Sequence, residues 1–137
     1  NADFYHSRGW MKRDLEDYQG AIDDYTKAIE IDPRADDRYH DRYHDRALAK
    51  TELGDYQDAI EDFSISIDMD PKSIDAYLCR AEIKRELKDY QGAFEDLKKV
   101  KEINPYAYDR MSIGYYKSII RNGEDSKLIK KVMQKAL

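Results

Sequence analysis

An all-α fold of repeated antiparallel helix pairs is expected of this 137-residue chain on three grounds. Three segments align without gaps: "DYQGAIDDYTKAIEIDP" from Asp17, "DYQDAIEDFSISIDMDP" from Asp55 and "DYQGAFEDLKKVKEINP" from Asp89. Within each, apolar residues recur at intervals of three and four, which lays one apolar face along a helix. A second pattern of the same period precedes each segment, so every repeat is a pair of helices that can bury its apolar faces only against its neighbours.

In chain order, the first helices are expected over Phe4 to Leu15, roughly Tyr39 to Leu53, and Ala76 to Leu87. The second helices carry Ala21, Ile22, Tyr25, Ala28 and Ile29, then Ala59, Ile60, Phe63 and Ile67, then Ala93, Phe94, Leu97 and Val100. Small residues stand at matching points, Gly9, Ala47 and Ala81 in the first helices and Ala21, Ala59 and Ala93 in the second, where two backbones must approach closely. Pro33, Pro71 and Pro105 close each second helix, since proline lacks the donor that would continue it and restricts the residue before it.

These positions carry a family resemblance. The Tyr of the first helix (Tyr5, Tyr43, Tyr77), the small residue four further on, and "LGDY" at Leu53–Tyr56 with its variants "LEDY" and "LKDY" all recur. So do the Ala, the aromatic or Leu, the Ala-like residue (Ala28, Ser66, Val100) and the closing Pro. In these the chain resembles the tetratricopeptide repeat (TPR) family from about Ala2 to Ala107. The resemblance implies a right-handed α-solenoid of antiparallel helix pairs: three TPR motifs plus a C-terminal degenerate repeat or capping helix pair. A single domain over 1–137 is then divided into repeat 1 (2–35), repeat 2 (36–73), repeat 3 (74–107) and a degenerate repeat or polar, basic capping pair (108–137).

One stretch breaks the period. The repeat starts lie 38 and then 34 residues apart, and the four-residue excess matches a tandem duplication in "DDRYHDRYHDRA", Asp37–His40 followed by Asp41–His44. Four residues add about 6 Å and about 400° to a helix, so the downstream face keeps nearly the same phase. Because Arg46 to Lys50 must pack as their counterparts do, the second copy, with Tyr43, is expected at the regular position. With neither Gly nor Pro between Arg34 and Leu53, the first copy is expected to lengthen this helix by one turn, capped by Asp36 or Asp37, rather than loop out. Slippage or engineering would equally produce such a duplication.

Composition limits the chemistry. Charged residues make up 39% of the chain and the net charge is −5, with 17 basic against 26 acidic residues over 1–107 and six against two over 117–137. A mostly acidic body argues against a nucleic-acid partner, and the basic tail reads as a solvated helix. No apolar run is long enough to span a bilayer. The chain is expected to be soluble and cytoplasmic rather than secreted or periplasmic. Its start at Asn1 suits an excised or processed piece, which leaves the compartment open. The lone Cys79 excludes an internal disulfide and has no neighbouring His in sequence. No nucleophile–base signature or phosphate-cradling glycine loop occurs, so no enzyme and no cofactor are expected. Paired acids such as Asp23-Asp24 and Glu61-Asp62 recur in phase and read as a solvated helix face. His40 and His44, four apart, could supply two metal ligands with Asp37 or Asp41 helping but lack a third and fourth, so no metal site is expected and metal binding there stays a minor alternative.

Function is then expected of surface. The resemblance implies a concave groove lined by the first helices: Asp3, His6, Ser7, Trp10, Arg13 and Asp14 in repeat 1, and Asp41, His44, Asp45, Leu48, Thr51 and Glu52 in repeat 2. Asp75, Leu78, Cys79, Glu82, Arg85 and Glu86 follow in repeat 3. Of these, His6, Trp10, Arg13, His44, Asp45, Leu48, Glu52, Leu78, Glu82 and Arg85 are the residues expected to bind. Eight acids against two bases, with Trp10, Leu48 and Leu78 as anchors, suit a peptide or partner protein with basic and apolar residues. Family members that clamp an acidic C-terminal tail do so with Lys, Arg and Asn. Here His6 and Trp10, Asp45, and Asp75 and Cys79 occupy those places, so an acidic tail is disfavoured. The rival expectation is a self-associating module, a weak homodimer formed through the lengthened helix or an exposed end of the stack.

Overall fold

The computed structural model describes residues 1–33, 41–109, 127, 131 and 134. Two compact units divide the chain, Asn1–Pro71 and Lys72–Leu137. The first holds α1 (Ala2–Asp14), α2 (Tyr18–Ile31), α3 (Arg42–Glu52) and α4 (Tyr56–Met69). The second holds α5 (Ile74–Glu86) and α6 (Tyr90–Ile103), and a further helical turn opens at Pro105 over 105–109, where the Asn104 carboxamide accepts the backbone N–H groups of Tyr106 and Ala107. Apart from Tyr108, Asp109, Lys127, Lys131 and Gln134, the expected capping pair lies outside the described residues.

Each pair is joined by one turn with a common design. At the end of α1, the Asp17 N–H donates to the Lys12 carbonyl (2.8 Å) and the Glu16 N–H to that of Arg13 (2.9 Å), which satisfies carbonyls the helix leaves open. The same pair of bonds follows α3 at Asp55 and Gly54, and α5 at Asp89 and Lys88. The middle residue must take a left-handed conformation, and φ is +62° at Glu16, +80° at Gly54 and +61° at Lys88. Only the second repeat has the residue that adopts it without steric cost. Asp17 and Asp89 then cap α2 and α6 through their carboxylates. At the far ends, Asp32, Asp70 and Asn104 are extended, as a residue before proline is obliged to be.

The pairs close on the residues marked by periodicity. α1 folds back on α2 so tightly that a Cβ on Gly9 would come within 2.7 Å of the Tyr25 ring. In the first unit Ala21, Tyr25, Ala28, Ala47, Ala49, Ala59 and Phe63 are fully buried; in the second Ala76, Ala93, Phe94, Leu97 and Val100 are. Burying a ring such as that of Phe63 or Phe94 stabilises by roughly 1.5–3 kcal/mol. Ala49 packs with Ala21, Tyr25 and Ile22, which sets α3 on α2.

The second tetrapeptide takes the regular position, with Tyr43 beneath Arg46 as Tyr5 lies beneath Arg8 and Tyr77 beneath Arg80. A slip by one tetrapeptide would bring Tyr43 and Asp45 to the fully buried places of Ala47 and Ala49, which the core excludes. The expected helix extension is corrected. α3 spans only 11 residues and starts at Arg42, with Asp41 extended (φ −73°, ψ 99°) as its N-cap, in place of Asp36 or Asp37. The Asp41 carboxylate accepts the His44 N–H (3.0 Å) and the hydroxyl of buried Ser66, and both bonds hold it as a cap rather than as a residue inside a longer helix. The first copy, Asp37–His40, lies outside the described residues.

Candidate functional site

Three ion clusters, one per repeat, occupy the seam between the helices of each pair. Asp24, Asp62 and Asp96 are 4%, 2% and 3% exposed. Each receives a two-point bond from the Arg sixteen residues earlier: Arg8 on Asp24 (2.8 and 2.7 Å), Arg46 on Asp62 (2.8 and 2.8 Å) and Arg80 on Asp96 (2.9 and 2.5 Å). Lys12, Lys50 and Lys84 complete them at 3.1, 2.9 and 3.1 Å. Asp24 and Asp62 are thus corrected from solvated acids to buried, neutralised ones, whereas Asp23 and Glu61 are exposed as expected. A carboxylate can be buried only if its charge is met, and the paired cations meet it. The bond from Arg8 holds the Asp24 carboxyl below its ordinary range. The bonds that Arg46 donates to Asp62 raise the Arg46 guanidinium above its ordinary range. The sequence carried a signal for these clusters, Tyr-x-x-Arg-x-x-x-Lys ahead of each Asp at fixed spacing.

A fourth cluster lies between α1 and α3 and contains four of the expected binding residues. Asp45 Oδ2 faces His6 Nε2 at 2.6 Å and accepts the Trp10 Nε1–H at 3.0 Å; Arg13 Nη1 stands 3.6 Å from Oδ1. The Arg13 guanidinium also lies over the Trp10 ring, 5.5 Å from its centroid. His6 is buried, its ring edge-on to Tyr25 at 5.5 Å, while Trp10 is half exposed. The indole is therefore both packed and presented: its N–H is fixed by Asp45, one side is covered by Arg13, and the remainder meets solvent. Arg42 ties the same two helices, donating to Asp3 Oδ1 at 3.0 Å and to the Asp32 carbonyl at 2.7 Å.

The other expected residues divide. His44, the counterpart of His6, turns its ring edge to Phe63 at 5.3 Å and so packs toward α4, away from the Trp10 cluster. Leu48 is half buried and Glu52 exposed. In the second unit Leu78 is half buried, Glu82 is exposed, and Arg85 stands 3.8 Å from Glu82 and 3.3 Å from Glu86. Cys79 is half buried, and burial pushes its thiol up to about 11, which keeps it protonated and poorly nucleophilic at neutral pH. His40 lies outside the described residues, and among the described residues no group of three or more His, Cys, Asp or Glu could hold a metal ion. No helix among them is long and apolar enough to cross a membrane.

Repeated helix pairs with the same turns, caps and buried ion clusters have a counterpart among known proteins. Family models described as tetratricopeptide repeat match residues 2–34, 40–73 and 74–106. The chain belongs to the TPR family. No curated protein sequence matches it. Among solved structures, the Arabidopsis OM64 TPR domain is 25% identical, with a TM-score of 0.69 over 77% of this chain and 84% of that one. The first TPR of Spaghetti (RPAP3), bound to the HSP90 peptide SRMEEVD, is 23% identical, with a TM-score of 0.68 over 97% and 90%. The TPR2B domain of yeast Sti1 in its pHsp70 complex is 24% identical, with a TM-score of 0.68 over 98% and 94%. These likenesses establish an all-α TPR fold, and the repeats support a protein-interaction scaffold.

The same comparisons give no support to the expected exclusion of acidic tails, since the Spaghetti TPR domain is bound to the HSP90 peptide SRMEEVD. The count of eight groove acids overstated the negative charge open to a ligand. Asp45 is taken up by His6, Trp10 and Arg13, and Asp41 by the helix cap, whereas Asp3, though paired with Arg42, has its side chain 83% exposed.

Proposed function

We propose that this TPR chain is a non-enzymatic scaffold that binds a peptide or partner protein on the first helices α1 and α3 of its first unit, with Trp10 as the main anchor. The supporting observation is the geometry at Asp45: a half-exposed indole with its N–H bonded to Asp45 at 3.0 Å and a guanidinium over its face. An aromatic side chain held in one orientation binds with little further loss of conformational entropy. Leu48, three residues after Asp45 on α3, adds half-buried apolar surface and Arg13 a cation, so the ligand is an extended peptide that lays an apolar side chain on Trp10. Internal pairing of Asp45 lessens the repulsion that would turn an acidic peptide away, while Asp3, Asp14 and Glu52 stay exposed.

Trp10 is the chain's only tryptophan, so its fluorescence reports occupancy directly. Titration with a panel of extended peptides, basic-apolar and acidic-apolar, is expected to shift Trp10 emission saturably for at least one class. Asp45→Ala should weaken that binding. Saturable binding that leaves Trp10 emission unchanged would place the ligand elsewhere and refute this reading.

A further inference from the structure

The Trp10 site holds a means of changing its own charge, an inference that rests on the reading of that site as the place where a peptide docks. His6 is 3% exposed, and its Nε2 stands 2.6 Å from Asp45 Oδ2, as short as charge-assisted bonds become. The same oxygen accepts the Trp10 indole N–H at 3.0 Å, so one carboxylate links a buried imidazole to the half-exposed ring that meets the ligand. Repeat equivalence puts His44 and Leu78 where His6 stands, Leu48 and Glu82 where Trp10 stands, and Ser7 and Cys79 where Asp45 stands. No other repeat holds this set.

α1 packs on α2 and α3. From α3, Asp45 meets the imidazole, while buried Arg42 is engaged by Asp3 and the Asp32 carbonyl. From α2, Tyr25 lies edge-on to the imidazole; burial, and after it the charge of Asp45, pushes its phenol far up, so it stays protonated. Asp24, also on α2, is neutralised by Arg8 and Lys12. On α1 itself Arg13 stands 3.6 Å from Asp45 Oδ1, and Asp14 beside it is exposed. With a neutral imidazole, the charges of Asp45 and Arg13 cancel. A proton added to the ring leaves one positive charge beneath Trp10, and Asp45 is the countercharge that lets an imidazolium stay buried. We propose that His6 and Asp45 form a pH-dependent charge switch for the Trp10 site, in which proton uptake by His6 shifts the preference of the site from basic toward acidic peptides. Histidine is the side chain whose charge ordinarily changes between pH 5 and 8, whereas carboxylates ordinarily titrate near 4, below that window.

The test runs from pH 8 to pH 5.5 at low salt, where exposed charges are least screened. Its first part uses the chain without ligand. Trp10 is the only tryptophan, so its indole N–H gives one signal in a nitrogen-15 NMR spectrum, and that signal is expected to move in a single step across the range. His6→Gln keeps an N–H for Asp45 but takes up no proton, and should abolish the step while the helical circular dichroism signal is retained. The second part follows Trp10 fluorescence with two peptides, acetylated and amidated, free of His and differing only in Glu for Lys. From pH 8 to pH 5.5 the Glu peptide is expected to bind about fivefold more tightly and the Lys peptide about fivefold more weakly, the effect of one unit charge at contact distance in water. Should His6→Gln fail to fold, Asp45→Asn gives a second reading: it keeps an acceptor for Trp10 but removes the negative charge, and at pH 8 it should already show the preference of the unaltered chain at pH 5.5. The switch is overturned if the indole signal stays still, if it steps equally in His6→Gln, or if the two peptides fail to change affinity in opposite directions. Binding of neither peptide at any pH refutes the docking reading instead, and the step without ligand still decides whether His6 changes the charge of the site.

Discussion

Asp62 gives the sharpest test of how the helix pairs are held. Asp62→Ala removes a carboxylate whose side chain is 3% exposed and abandons Arg46 and Lys50, each 16% exposed, between α3 and α4. Breaking a buried pair by removing one partner costs about 3–5 kcal/mol, because the charge left behind has no compensation. Asp24→Ala removes the equivalent acid in the same unit, but its partners Arg8 and Lys12 are 44% and 32% exposed and can turn to water, so its loss is expected to be smaller. Urea unfolding followed by circular dichroism would measure both, with the midpoint falling and the slope held. Replacing Arg46 and Asp62 together by Met and Leu should recover part of the loss, Lys50 alone then staying without its acid, as buried pairs tolerate apolar replacement better than halving. The reasoning is refuted if Asp62→Ala costs less than Asp24→Ala, or if the double replacement is no better than the single one.

Three further outcomes are expected. Since the bond from Arg8 depresses the Asp24 carboxyl, its contribution to stability is present above the ordinary carboxylate range near 4 and is lost as pH falls through the lowered folded value. Asp24→Asn should flatten the acid limb of a stability–pH profile. Glu16→Gly and Lys88→Gly relieve left-handed backbone and are each expected to stabilise by about 1 kcal/mol, whereas Gly54→Ala should destabilise by a similar amount; thermal melts would show the signs. Deleting one Asp-Arg-Tyr-His unit leaves a single chemical product whichever copy is removed, and it should stay folded with α3 capped by the remaining Asp. Loss of helicity on that deletion would show that the first copy is needed.

The repeat phase was legible because packing in a helix pair is decided by residue size at fixed intervals, and Gly9, Ala47 and Ala81 announce where helices meet. The choice of the second tetrapeptide was legible for the same reason, through Ala47 and Ala49. The start of α3 was not. The duplication offers an Asp at each copy, local propensity cannot rank two identical caps, and the bond from Ser66, twenty-five residues away, favours Asp41. Asp24 and Asp62 were misread because a hydrophobic–polar pattern assigns every acid to the surface, although their cations stood in the preceding helix at constant spacing. Asp45 was misjudged in the same way: its partners His6, Trp10 and Arg13 are distant in sequence and meet only once α1 and α3 are side by side.

The scaffold reading rests on the Trp10 face, and a paired measurement tests it most directly: peptide affinity and helicity of Trp10→Ala against the unaltered chain. Affinity is expected to fall by an order of magnitude or more while the helical circular dichroism signal and the urea midpoint stay nearly unchanged. Unchanged affinity, or equal loss of binding and fold, would contradict it.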